Sequence, residues 1–314
     1  MVFVSGCASP PRPGTASPRL GDEIVVAGTF IHTGTPVVLW FDPGGYDAYR
    51  IERRFVTHEH ASWEASQGRL ASPHRFGHRR IGGEVLPPHE ATVEVLGGVI
   101  DQFVLHYDVC GTSRRCFQVL HDIRGLSVHF LLDIDGTIYQ TLDVKERAWH
   151  ATIANDRSVG IEIAHIGAYP PGRASPLDAW YARDGGGWRI TIPDDQGDGG
   201  VRTAGFVGRP RSDGFVTGEI HGQRLIQPDF TAEQYRALAH LLAALHGSLP
   251  EIRLEAPRGP DGRVLTRALT PDEWASFKGV LGHFHVQTNK IDPGPAFDWE
   301  WVLGESRRLA GRKR

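Results

Sequence analysis

Nowhere in the 314 residues does an apolar run reach the about 18 residues that a membrane-spanning helix requires, so no segment crosses a bilayer in that form. Charge of one sign is also missing: 34 Lys and Arg stand against 37 Asp and Glu, a formal net charge of -3. Outside the terminal "RRLAGRKR" there is no basic block, which argues against a nucleic-acid partner; the tail itself reads as a solvated end. No internal repeat is evident. What the chain has in quantity is glycine and proline, 38 and 21 residues, and with them many turns between apolar segments patterned well enough to fold. The length suits one large domain or two ordinary ones, with a buried core.

Cysteine is scarce, with three residues, but each is placed informatively. Cys7 in "VFVSGCASP" resembles the end of a bacterial lipoprotein signal, where an apolar residue and two small ones precede the lipidated cysteine. Only six residues stand before it, short of a charged start and an apolar stretch of about 7 to 15 residues. Either the true start lies upstream or the match is chance. The "ASPPRPGTASPRLG" that follows has the composition of a tether. Cys110 and Cys116 in "DVCGTSRRCF" have five residues between them, and such a pair can close a small disulfide worth about 2 kcal/mol in the loop-entropy account. Both features point outside the cytosol.

Residues 1–20 read as leader or linker, and 21–97 as a β-rich N-terminal extension. In the latter, "EIVVAGTFI" and "TPVVLWFD", joined by "HTG", suggest a small hairpin. His58, His60, His74, His78 and His89 crowd the rest of it, but no carboxylate or cysteine recurs at ligand spacing, so they are taken as surface residues. From residue 98 the pattern sharpens. "GVIDQFVLHYD" is a buried strand that delivers His106 at its tip. "SRRCFQVLHDI" carries a helical stripe, and "LSVHFLLDIDGTIYQTLD" alternates in two arms around "DIDG", a hairpin signal. "VGIEIAHIG" is a strand with Glu162 near its centre. Residues 168–228 read as an irregular insertion with "WRITIP" as its one strand-like piece. "DFTAEQYRALAHLLAALHGSLP" has a cap, a stripe and a terminal Gly and Pro, and so reads as a helix. "EIRL" suggests a further strand.

The stretch "GHFHVQTNKIDPGPAFDW", residues 282–299, has neither helical nor strand periodicity yet holds two histidines, a lysine and an aspartate. With His106, its His283 and Asp292 make three candidate ligands of the kind a catalytic zinc takes, a fourth position being left for water. Taken alone, a strand histidine is more often a satisfied core residue. Glu162 in an apolar strand is unusual enough to favour function, whereas an isolated Lys290 would favour a solvated surface.

"FVLHYD", "HFLLDIDGTIYQ", "RAWHA", "SVGIEI", "FTAEQYRALAHLLAAL" and "GHFHVQTNKIDPGPAFDW" occur in the order seen in the type 2 zinc-dependent N-acetylmuramoyl-L-alanine amidases. The chain resembles that family, which is related to the peptidoglycan recognition proteins, over about 200 residues. The resemblance implies an α/β fold with a mixed central β-sheet flanked by helices. It implies a domain over 98–303 interrupted by the insertion 168–228, with 304–314 as a basic tail. It also implies one catalytic Zn2+ on His106, His283 and Asp292, with His285 competing for the second place. Glu162 then corresponds to the catalytic base and Lys290 to an oxyanion-stabilising cation. His150, His129 and Trp149 become candidates for substrate contact, and the Cys110 and Cys116 pair resembles a short disulfide of the recognition-protein branch.

The expected reaction is hydrolysis of the amide between N-acetylmuramic acid and L-alanine in peptidoglycan or muropeptides. The expected location is periplasmic or secreted, with a lipid anchor if Cys7 is modified. Two alternatives accompany it: a peptidoglycan-binding module that does not cut, and an amidase of recycled anhydro-muropeptides.

Overall fold

The computed structural model describes residues 19–66, 70 and 72–311; Cys7 and the last three residues of the basic tail lie outside them. The described chain opens with a hairpin of β1 (Glu23–Val26) and β2 (Thr29–His32), then β3 (Val37–Leu39). The hairpin turns at Ala27 and Gly28, both with positive φ. "HTG" instead lies after the hairpin, and β3 leaves it to join the central sheet. Two single-turn helices follow, α1 (His58–Ala61) and α2 (Trp63–Ser66). Next come β4 (Phe76–His78), a two-residue ladder of β5 (Arg80–Ile81) and β6 (Glu84–Val85), and α3 (Val93–Val99). The five histidines of this region are all exposed.

The strand carrying His106 is β7 (Gln102–Tyr107), followed by α4 (Ser113–Phe117). Where one continuous helix was expected, α4 passes into a π-helical stretch, Gln118–Arg124, that ends at Gly125 in the left-handed region. Next are the expected hairpin, β8 (Phe130–Leu132) and β9 (Ile138–Gln140), then β10 (Glu146–Ala148) and β11 (Ser158–Ile163). The insertion is more regular than its composition suggests. It contains α5 (Leu177–Trp180) and two antiparallel hairpins, β12 (Tyr181–Asp184) with β13 (Gly187–Ile190) and β14 (Phe215–Ile220) with β15 (Gln223–Pro228). Helix α6 (Ala232–Ser248) starts at a complete capping box of Thr231 and Gln234. "EIRL" forms no strand. The chain closes with α7 (Pro271–Ser276), β16 (Gly279–Gly282), the single turn α8 (His283–Val286) and α9 (Trp299–Ala310).

The central sheet is mixed and six-stranded, in the order β16-β7-β11-β8-β9-β3. Strands β16, β7, β11 and β8 are parallel, β9 runs against β8, and β3 is parallel to β9. Strand alternation then sorts the side chains. Phe103, Leu105, Val159, Ile161, Phe130 and Leu132 pack against Leu238, Leu241, Leu245, Val302 and Leu303 of α6 and α9. Leu131 and Tyr139 face the other way, toward Phe117 and Leu120. By the same parity His106 and Glu162, paired across β7 and β11, share the face turned away from α6 and α9. They sit near the carboxyl ends of parallel strands, where open α/β sheets place their ligands.

The N-terminal extension is woven into this framework. Beyond β3, strand β4 pairs with β10, and Val25 exchanges both backbone hydrogen bonds with the Gln140 side chain at 2.7 and 2.8 Å. Arg79 is buried, donating to the carbonyls of Ser158 at 2.7 Å and Val144 at 2.9 Å.

Candidate metal centre and cleft

Strand β16 ends at Gly282 opposite Leu105, so His283 begins its helical turn beside His106. The loop after α8 returns Asp292, whose carbonyl accepts from Phe284 N at 3.2 Å. Three atoms meet there: His106 Nδ1 and His283 Nδ1 are 2.9 Å apart, and Asp292 Oδ2 is 3.0 Å from each. All three residues are buried. A stretch expected to be irregular throughout is therefore a strand end, a helical turn and a return loop.

The surroundings assign the protons. His283 Nε2 lies 2.7 Å from Gln287 Oε1, an acceptor, so Nε2 carries the hydrogen, and in that tautomer Nδ1 turns a bare lone pair into the triangle. His106 Nε2 lies 3.0 Å from His150 Nδ1, and His150 Nε2 lies 3.2 Å from Ser158 Oγ. With His150 donating to Ser158, His106 donates to His150 and its Nδ1 is bare as well. Burial, and then His283, lower the His106 pKa to about 4, which keeps the ring neutral. Burial would raise the Asp292 pKa, but the two histidines beside it outweigh burial and hold it below the carboxylate range, so it stays ionised. Three lone-pair donors in contact without a shared proton form a set that a cation satisfies, and two imidazoles with one carboxylate suit zinc with an open position.

Gln287 was not singled out in the sequence, although its i+4 spacing from His283 puts it on the same side of a helical turn. Gln287→Leu removes the acceptor that fixes the His283 tautomer. The expected outcome is a zinc affinity lower by about 10- to 100-fold in a protein with unchanged far-UV circular dichroism, read by competition with a chromogenic chelator.

The triangle opens into a cleft of about 150 Å³ lined also by Glu162, Lys290, Trp149, His150, Arg124 and Val109. Glu162 Oε2 is buried without a hydrogen-bond partner among the described residues. Burial first, then Asp292 and Asp108, push its pKa well above the usual carboxylate value. The Lys290 carbonyl accepts from His221 Nε2 at 2.9 Å, and the Gln227 side chain bonds Pro293 O and Ala296 N, each at 2.9 Å. The insertion thus braces the loop that carries Lys290 and Asp292. Arg124, at the end of the π-helical stretch, and Val109, in the left-handed region at φ 53°, are lining residues the sequence did not reveal. Neither belongs to a recognisable motif.

The remaining expectations divide. His150 and Trp149 line the cleft. His129 does not: it is fully buried, with Nε2 3.0 Å from both Arg79 Nη2 and Glu146 O, and Nδ1 accepting from Gly160 N at 3.1 Å. Its place is structural. His285 is also spoken for, Nε2 donating to Leu265 O at 2.8 Å and Nδ1 accepting from Gly282 N at 2.9 Å, so His283 takes the triangle. Cys110 and Cys116 are free thiols rather than a disulfide. Burial, with Cys110 alongside, raises the Cys116 pKa well above the ordinary thiol value. A second group, Asp22, Glu23 and His32, is already engaged. Glu23 accepts from Leu20 N and Gly21 N, and Asp22 meets His32 Nδ1 and Gly34 N.

A carboxylate without a partner among the described residues, a lysine and a three-residue group that could hold a metal ion gather around one cleft. Residues 96–196 match the family model for N-acetylmuramoyl-L-alanine amidase, and the domain containing them is an amidase of that family. The matched segment covers β7 with His106 and β11 with Glu162. The fold is similar to that of a selenomethionine derivative of AmpD, 18% identical, covering 78% of this chain and 94% of that one at a TM-score of 0.35. It is similar also to the endolysin amidase LysCS of Clostridium intestinale URNW, 14% identical, covering 68% and 86% at 0.35. A third is the E. coli amidase AmiD in complex with anhydro-N-acetylmuramic acid-L-Ala-D-gamma-Glu-L-Lys, 18% identical, covering 72% and 61% at 0.37. No curated protein matches the sequence.

Proposed function

We propose that the protein hydrolyses the amide joining the lactyl group of N-acetylmuramic acid to L-alanine in peptidoglycan or its fragments, using one zinc ion at His106, His283 and Asp292. The observation that carries this reading is the triangle of bare donor atoms at 2.9 to 3.0 Å beside a buried, partnerless Glu162. The chemistry supplied by zinc, when bound there, is Lewis acidity toward the scissile carbonyl and a lowered pKa for water.

The side chains do the rest. Glu162 Oε2 takes a proton from the attacking water and hands it to the departing alanine nitrogen, leaving a lactyl carboxylate and a free amine. Its unspent hydrogen-bonding capacity leaves it able to receive that proton. Lys290 faces the negative charge that grows on the carbonyl oxygen. His150 holds the His106 ring in place, Gln287 holds His283, and Trp149 offers an apolar wall to the substrate. A protein that only bound peptidoglycan would have no need for this combination of base, cation and donors. Action on the cell wall makes a periplasmic or secreted location the fitting one.

The test is the product. Digestion of purified peptidoglycan should release stem peptides with free L-alanine amino ends, read by mass spectrometry after amine labelling. New amino ends elsewhere in the stem would reassign the cleaved bond, and bound but intact peptidoglycan would return the protein to the recognition class.

A further inference from the structure

A second cavity, of about 440 Å³, lies on the other side of the helix that walls the cleft, bounded by Phe55, Thr112, Arg114, Arg115, Asp195 and Gln196, among others. The two cavities share that helix residue by residue: Cys116 and Val119 line the metal cleft, while Arg115 and Gln118 line this one. Its far wall is the insertion loop Asp194–Gly200, pressed against the helix. A Cβ on Gly199 would lie 2.6 Å from Thr112 Cγ2, and one on Gly200 2.8 Å from Arg114 Cδ. Only glycine permits that approach.

Three features describe what this pocket would hold. The Arg114 guanidinium sits 5.8 Å from the centre of the Phe55 ring, with Arg54 5.6 Å from the same ring. Arg115 Nη1 donates to Gln118 Oε1 at 2.6 Å, and neither Arg114 nor Arg115 pairs with a carboxylate among the described residues. On the opposite wall Gln196 Oε1 is buried with no partner among the described residues. Arginine calls for an anion, and an amide oxygen without a donor calls for an N–H or O–H close by. An acidic peptide supplies both, the carboxylate to the arginines and the neighbouring amide N–H to Gln196.

We propose that this pocket is a second substrate subsite, built jointly by the helix and the insertion, that takes a free carboxylate and the adjoining amide of the peptidoglycan stem peptide. The inference rests on the amidase reading for the identity of the peptide. An extended chain covers about 3.3 to 3.6 Å per residue, so three or four residues beyond L-alanine extend about 10 to 14 Å, on the order of a helix diameter. The insertion then has two roles, bracing the metal loop with β14 and β15 and reading substrate charge with its glycine-rich loop.

Calorimetric binding of free stem peptide separates this from the cleavage reaction, because a peptide without muramic acid has no scissile bond. Two probes are compared on the zinc-loaded full chain: a stem tetrapeptide with free side carboxylates, and the same peptide with those carboxylates amidated. Wild type should bind the acidic peptide at least tenfold more tightly, and R114Q/R115Q should erase that preference. Equal binding of the two peptides, a preference that survives in the double variant, or no binding of either would overturn the subsite. Failure to release peptide from intact peptidoglycan, alongside charge-selective binding, would instead remove the amidase reading and leave the subsite standing.

Discussion

Glu162→Gln should reduce kcat on peptidoglycan by about a hundredfold to ten-thousandfold, the range of a positioned general base, while zinc content stays at the wild-type level. The substitution keeps the shape and volume of the side chain but removes its capacity to take a proton. Glu162 is no ligand of the triangle, which is complete without it, so metal binding should be indifferent to the change. Its environment sharpens the expectation. The carboxylate is buried and Oε2 has no partner, so no neighbouring residue stands ready to substitute. A variant that lost zinc as well as rate would show Glu162 to be part of the metal site, and near-wild-type turnover would require another base. Zinc by metal analysis and rate by peptide release answer both questions on one sample.

The second large effect belongs to Asp292. Asp292→Ala should abolish stoichiometric zinc binding and bring hydrolysis below detection. The carboxylate supplies the only negative charge of the donor set and contacts both imidazoles at 3.0 Å; without it two neutral rings remain, too few for a catalytic zinc with three protein ligands. Ligand binding stabilises the folded state by mass action, so the melting temperature of metal-free wild type should rise on addition of zinc and that of the variant should not. The two substitutions therefore fail differently, Glu162→Gln with metal retained and Asp292→Ala with metal lost. That contrast assigns one residue to proton transfer and the other to coordination.

Much of this site was legible because strand alternation and motif order are local properties. His106 at a strand tip, Glu162 near the centre of a later strand and the "GH" preceding the return to Asp292 could all be marked on the chain before any fold was seen. That His106 and Glu162 share one face follows from the register of β7 against β11, which the chain alone did not give. Residues acting through distant partners were harder to read. His129 looked as available as His150, and only the arrival of Arg79 from 50 residues upstream shows why the first is sealed in and the second faces the cleft. Cys110 and Cys116 had suitable spacing for a disulfide, but both are free thiols, and spacing says nothing about the burial of Cys116. The insertion misled for a compositional reason: glycine and proline dilute the alternation of β14 and β15, whose pairing is set by each other and by contact with the metal loop. "EIRL" had strand composition and ends beside the edge strand β16, where Glu255 O accepts from Val280 N at 2.8 Å, but it makes no continuous ladder with it.

The path of Arg79 beneath the sheet also settles where a portable unit of this protein must begin. Excising residues 98–314 would follow the sequence resemblance and discard β3, leaving β9 as a raw sheet edge open to pairing with other chains. It would discard β4 from β10 as well, and withdraw the guanidinium that serves His129 and the carbonyls of Val144 and Ser158, stranding buried acceptors at a cost of about 1 to 3 kcal/mol each. For fusion, display or transplantation into another protein, the seam belongs ahead of the β1 hairpin, since the segment that carries the family signature is not the segment that can stand alone.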